Sequence, residues 1–230
     1  MKHLSELIEN EQGNRKIIIT DTIFSMDGYI APLREIYEIC LHDNAILYID
    51  DAHGTGVLGE GYGALKHFNI KPEPWIIQMG TFSKALGSLG AFIAAGGDVI
   101  QWLINTARGF IFSTALPPCV IAASITALRI LQEDTALIRR LWHNRERLFK
   151  GLQNMGLNTL NSETPIIPVV AGDVETTMKL SEELKKHQIY APAIRPPTVR
   201  TPRIRFTVTA SHTEKDIDEL IGALTAVKQD

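Results

Sequence analysis

Ala45-Ile46-Leu47-Tyr48-Ile49-Asp50-Asp51-Ala52-His53-Gly54-Thr55-Gly56 is the stretch that decides the fold. A short apolar run with β-branched and aromatic side chains leads directly into two carboxylates, a histidine and glycines, so a buried strand ends in a polar turn. In an open α/β sheet, ligands bind beyond the carboxyl ends of the strands, which is where these polar groups stand. Read alone, the stretch also fits an ordinary acidic strand-to-loop turn, because Asp and Gly are common turn residues. A metal site would need Asp50, Asp51 and His53 to converge. Neighbours on a strand point to opposite faces, so no metal is expected.

Outward from this stretch, β-branched runs at 16–20, 75–79 and 91–95 alternate with helical patterns. That alternation predicts strands joined by crossover helices in a largely parallel sheet. Pro32 can open a helix that lays Leu33, Ile36, Tyr37 and Cys40 along one face, at the spacing of a core stripe. After Pro117-Pro118, a helix carrying Ile121, Ile125, Leu128, Ile130 and Leu131 is expected to run on through the charged segment 139–147, unbroken until Gly151. This connecting helix leads from a first domain, 1–130, to a small α+β domain, 131–230. In the second domain strands are expected at 166–170 and 203–208 and helices near 176–187 and 213–227, the last opened by a capping box from Thr213 to Asp216. Pro192, Pro196, Pro197 and Pro202 cluster in a stiff loop there.

With 45% hydrophobic and 21% charged residues in 230, the chain has a globular composition. Its 23 basic and 26 acidic residues are mixed along the length, with no basic run that could neutralise many phosphates, so nucleic acid is a poor candidate partner. Cys40 and Cys119 form no CxxC pair, which fits a reducing cytoplasm better than a disulfide framework. No apolar run approaches the ~18 residues of a membrane span and the start lacks a signal-peptide core, so a soluble, unsecreted chain is expected.

A second polar segment, Gly80-Thr81-Phe82-Ser83-Lys84-Ala85-Leu86-Gly87-Ser88-Leu89-Gly90, follows the third strand. Alone it reads as a glycine- and serine-rich loop with a solvated lysine, and the order of its residues is not that of a Walker A loop. Together with the first segment it says more. A lysine amine for a Schiff base, a carboxylate for a pyridinium nitrogen, and hydroxyls for a phosphate are the parts that pyridoxal phosphate requires.

Four segments, Ile23-Phe24-Ser25-Met26-Asp27-Gly28, Asp50 to Gly56, Thr81 to Lys84, and Phe112-Ser113-Thr114-Ala115-Leu116-Pro117-Pro118, resemble successive motifs of the α-oxoamine synthases. These are pyridoxal-phosphate enzymes of fold type I, with an aminotransferase-like, largely parallel α/β domain. They condense an amino acid with an acyl-CoA thioester and release carbon dioxide. The resemblance runs from about Lys16 to the end and implies Lys84 as the Schiff-base lysine and Asp50 as partner of the pyridinium nitrogen. It further implies His53 at the cofactor's phenolic oxygen, Thr81 at its phosphate, Ser25 lining the ring pocket, and Thr114 near the phosphate of a neighbouring subunit, hence a homodimer. An unperturbed lysine, with a pKa of ~10.4, is a poor nucleophile at neutral pH, so burial and nearby groups are expected to favour its neutral form.

In the second domain, Ala193-Ile194-Arg195-Pro196-Pro197-Thr198-Val199, followed by Arg203-Ile204-Arg205, resembles the branch that joins L-alanine to a pimeloyl thioester in biotin biosynthesis. It differs from the glycine C-acetyltransferase and 5-aminolevulinate synthase branches. The resemblance implies Arg195 as receiver of the amino-acid carboxylate, a task suited to the planar guanidinium, with Thr198 beside it. Taken by itself, Arg195 also fits a surface charge in a proline-rich loop.

Members of the family are longer. Their glycine-rich phosphate turn, ring-stacking histidine and part of the acyl-CoA tunnel precede the segment matched by Lys16 onward. The chain therefore resembles a truncated family member, a fragment or one half of a split protein. It is either a working acyltransferase with a complementing N-terminal chain or a silent remnant that keeps the fold. Tyr29 stands where an acidic residue is usual after Met-Asp-Gly, and Ser83 where glycine is also common.

Overall fold

The computed structural model describes every residue except Gln12, Asn14 and Asp230, together with the side chains up to Val227. The chain divides into two compact units. One is Met1–Ile23 with Ala31–Thr135, and the other is Phe24–Ile30 with the chain from Ala136 onward.

The first unit is built on four strands, β1 (Ile17–Asp21), β2 (Ile46–Asp50), β3 (Ile76–Thr81) and β4 (Ala91–Ala94), ordered along the sheet as in the sequence. β1, β2 and β3 run parallel, and β4 turns back antiparallel to β3. Their ends fall within one or two residues of the expected ones, the usual uncertainty of an element boundary. Leu47 and Ile49 are completely buried on one face of β2. Helix α2 (Leu33–His42) contributes Leu33, Ile36 and Cys40 to the core, the expected stripe, with Tyr37 half-buried and stacked on Trp75. Burial, with Asp43 nearby, pushes the Cys40 thiol up to about 11, as befits a core cysteine; Cys119 is exposed.

The rest of this unit comprises α1 (Lys2–Asn10), a 3₁₀ turn at Gly59–Gly61, α3 (Ala64–His67), α4 (Gly97–Thr106), α5 (Arg108–Ile111) and α6 (Pro118–Glu133). The long connecting helix is in fact two. It breaks at Asp134 (φ −111°, ψ 85°), and α7 (Thr135–Asn154) begins after it. Aspartate is a weak helix former whose side chain competes for backbone donors. Gly151, expected to end the helix, lies inside α7. A Cβ there would come within 2.4 Å of Ile221, so this glycine allows close helix packing and marks no stop.

The second unit is a three-stranded antiparallel sheet, β5 (Ile166–Val170), β7 (Arg203–Thr207) and β6 (Ala193–Ile194) in that order, packed with α7, α8 (Val174–Lys186) and α9 (Glu214–Gln229). Leu148, Leu152, Ile167, Val169, Leu184 and Ile204 form the centre of its core. The capping box forms in both directions: the Thr213 amide donates to Asp216 (2.7 Å) and the Asp216 amide to the Thr213 hydroxyl (3.2 Å). Among the described residues, no helix is long and apolar enough to cross a membrane.

Candidate active site

In the first unit the polar residues gather where the parallel strands end. Asp21 closes β1 and Asp50 closes β2, and the two are register partners across the parallel pair, so both carboxylates stand on one face of the sheet. The Asp21 carboxyl is raised above its ordinary value by burial and by Asp50, and is drawn back by the positive charge of Lys84. Those three groups therefore share one field. One oxygen of Asp50 accepts the Ala52 amide at 2.9 Å, and the other accepts no hydrogen bond among the described residues.

Lys84 lies on the loop that joins β3 to β4. The ends of the loop are tied by the Phe82 amide to Gly90 O (3.0 Å) and the Ser88 amide to Phe82 O (2.8 Å), and the turn itself by the Gly87 amide to Lys84 O (3.0 Å). Lys84 is exposed, not buried as expected from the sequence, and among the described residues its amine makes no hydrogen bond or ion pair. The turn bearing His53 comes up against the same loop. Gly56 adopts φ +79°, and a Cβ there would stand 2.5 Å from the Cβ of Ala85, the residue after Lys84. Only glycine permits that approach and that backbone angle together. His53 is half-buried in this turn.

Thr81 is buried, and its hydroxyl is fully engaged: it donates to Gly90 O (2.9 Å), accepts the Ser83 amide (3.1 Å) and lies 2.7 Å from the Ser83 hydroxyl. Since the Thr81 proton goes to Gly90, the proton between the two hydroxyls belongs to Ser83. Exposed Ser83 is then the hydroxyl that a phosphate would redirect at least cost. Thr114 lies in the exposed loop before α6.

Asp51 is a residue whose importance the sequence did not disclose. Completely buried, it accepts hydrogen bonds from the Thr22 hydroxyl (2.6 Å), Gln78 Nε2 (2.9 Å), the Ala64 amide (3.2 Å) and the Thr55 hydroxyl (3.3 Å). Burial raises its carboxyl above the ordinary value, against the pull of these donors. Asp51 thus ties β1, β3, α3 and the turn together and fixes the loop that presents Asp50 and His53. Adjacent aspartates look alike in sequence, but the strand alternation that separates them was already legible.

The second unit carries the remaining expected residues. Ser25, half-buried, belongs to the Phe24–Ile30 segment. Arg195 and Thr198 are exposed in the proline-rich loop after β6, linked by the Thr198 amide to Arg195 O (3.1 Å). Arg205 was not anticipated from the sequence. On β7, Ile204 and Phe206 face the core, so Arg203 and Arg205 share the opposite face. Arg203 has acceptors, whereas Arg205 keeps a buried Nε with no hydrogen-bond partner, and burial lowers its guanidinium below the ordinary value. The Arg-Ile-Arg alternation was the signal available in the sequence.

Residues 1–224 match the family model of aminotransferase class I and II, and the chain belongs to that family. It is 54% identical over 226 residues to a Thermodesulfovibrio yellowstonii protein named provisionally as an 8-amino-7-oxononanoate synthase, covering 98% of this chain and 58% of that protein. It is 45% identical over 215 residues to the 8-amino-7-oxononanoate synthase of Thermoanaerobacter pseudethanolicus, covering 92% of this chain and 54% of that enzyme. A solved structure described as SPT with a PLP internal aldimine superposes with a TM-score of 0.94 at 28% identity, over 99% of this chain and 58% of the other. The fold is that of the fold-type-I pyridoxal-phosphate enzymes. The chain spans rather more than half the length of the curated relatives it matches.

Proposed function

We propose that this chain is the lysine-bearing and C-terminal part of a pyridoxal-phosphate-dependent acyltransferase acting in the cytoplasm. It would join L-alanine to a pimeloyl thioester, releasing carbon dioxide and the thiol, to give the 8-amino-7-oxononanoate of biotin biosynthesis. The observation that carries this reading is the approach of Gly56 to Ala85, which holds the Asp50 to His53 turn beside the Lys84 loop. The names of the relatives support the choice of product.

The residues fit the cofactor. Lys84 offers an amine with no partner of its own, and Asp50 keeps a carboxylate oxygen for the ring nitrogen. His53 would hold the ring oxygen, Ser25 would line the ring, the Ser83 hydroxyl backed by Thr81 would meet the phosphate, and Thr114 would serve the phosphate of a neighbouring copy. Pyridoxal phosphate, when bound, supplies a conjugated ring that takes up the electron pair left on the substrate's Cα. With its amine free beside the substrate, Lys84 would be the base that carries protons to and from Cα. The alanine carboxylate expected at Arg195 is assigned instead to Arg205, whose buried Nε has no hydrogen-bond partner, while exposed Arg195 and Thr198 would meet the substrate from the proline-rich loop. The apolar residues exposed on α4 to α6, among them Trp102, Ile121 and Ile125, give a second copy or a complementing N-terminal chain a surface to cover.

The test is thiol release by this chain, alone and mixed with the N-terminal region of a relative supplied as a separate polypeptide. L-alanine with pimeloyl-CoA is expected to support release in the mixture. Release only with glycine and a short acyl-CoA would move the chain to another branch, and none with any pair would make it a remnant.

A further inference from the structure

We infer that Arg203 is a positioning residue, which through Asp27 sets the loop that carries Ser25. The Phe24–Ile30 segment lies early in the chain yet belongs to the second unit. Arg203, with a side chain 7% exposed, donates to the Asp27 carboxylate and to Met26 O (3.3 Å), while its Nε donates to Thr201 O (3.0 Å). Gly28 O accepts from the Thr164 hydroxyl (2.9 Å) and the Glu163 amide (2.9 Å), and the Ile30 amide donates to Glu163 (3.0 Å). Within the loop, the Phe24 amide closes onto Tyr29 O (3.1 Å). The 160s turn thus anchors the far end, and the two residues after Ser25 are held by one guanidinium.

That guanidinium belongs to the strand that presents Arg205, two residues on and on the same face. β7 accordingly uses the two arginines on this face for different purposes. Arg203 donates to the loop and to Thr201, and Arg205 is left with a buried donor unmet. A planar fork is needed at 203 because it must reach a side-chain carboxylate and two backbone carbonyls at once, which a lysine ammonium on a flexible stem does less well.

The inference rests on the proposed role of Ser25 at the cofactor ring, and the test separates the two. Amide hydrogen exchange is followed in the cofactor-free chain, and pyridoxal phosphate affinity is measured by absorbance, for Arg203→Gln, Arg203→Lys and Asp27→Asn. Arg203→Gln is expected to speed exchange at residues 24–30 while leaving β5 and α8 protected. It should also weaken cofactor binding about ten-fold, the size of one lost charge-assisted hydrogen bond, with partial recovery in Arg203→Lys. Asp27→Asn, which leaves Arg203 in place, should reproduce the local loosening if Arg203→Gln folds poorly. Loss of protection throughout the second unit, no change at 24–30, or a loosened loop with unchanged affinity would each overturn the inference. Should the unaltered chain form no Lys84-dependent band, the reading of the cofactor site fails separately, and exchange at 24–30 alone decides whether Arg203 sets the loop.

Discussion

Helices α7, α8 and α9 of the second unit and helices α4, α5 and α6 of the first differ in where their apolar residues go. α7 buries Leu141, Leu148 and Leu152, α8 buries Leu184, and α9 buries Ile217, Leu220 and Leu224, so that the unit closes on its own core. α4 and α5 bury nothing and α6 buries only Ser124, while Trp102, Ile121, Ile125 and Ile130 are exposed. Apolar spacing fixes the face a helix wants covered without saying whether the cover lies in the same chain. The Schiff-base lysine proposed here belongs to the unit with the uncovered helices.

Truncating the closed core should have the largest effect. Leu152→Ala removes a completely buried side chain and should cost about 2–5 kcal/mol in urea unfolding, whereas Ile121→Ser on exposed α6 should stay within about 0.5 kcal/mol. Equal losses at the two positions would break the contrast. Next, Arg205→Gln should raise the KM for alanine by about 10–100-fold with little change in unfolding midpoint, because a charged donor to the carboxylate is lost. Arg195→Gln should raise it less.

Asp51→Asn should destabilise the first unit by about 1–3 kcal/mol, since an amide nitrogen would face donors that now meet a carboxylate oxygen. Its pH dependence has a definite sign. A folded-state carboxyl raised by burial adds stability below the unfolded value near 3.8 and loses it as pH rises through the raised value. Comparison with Asp51→Asn across that range should show the unaltered chain gaining relative stability toward acid. The smallest effect is expected at the α8 cap, where Asp173 accepts the Thr176 amide at 2.8 Å and its carboxyl is lowered by that bond. This contribution is present above the unfolded value and lost as pH falls through the depressed one, so Asp173→Ala should lower the melting temperature slightly at pH 7 and not at all in strong acid.

Much of the frame was legible because it is local. Alternation along β2, the α2 stripe and the Thr213 capping box each depend on residues within a few positions of one another. What escaped depends on distant partners. The break at Asp134 and the continuation through Gly151 turn on a weak helix former and on Ile221, and the membership of Phe24–Ile30 in the second unit turns on Arg203, Ser162 and Thr164. The site behaved similarly. The positions of Asp50 at a strand end and Lys84 on the loop after the next strand followed from the pattern, whereas the four donors on Asp51 and the unmet Nε of Arg205 became visible only with the hydrogen bonds in view.

The central claim is that Lys84 holds the cofactor. Purified chain mixed with pyridoxal phosphate, reduced with borohydride, digested and analysed by mass spectrometry should carry the added pyridoxyl mass on the peptide containing Lys84, with a visible absorbance band that vanishes in Lys84→Ala. Label spread over other lysines, or a band that survives Lys84→Ala, would contradict it.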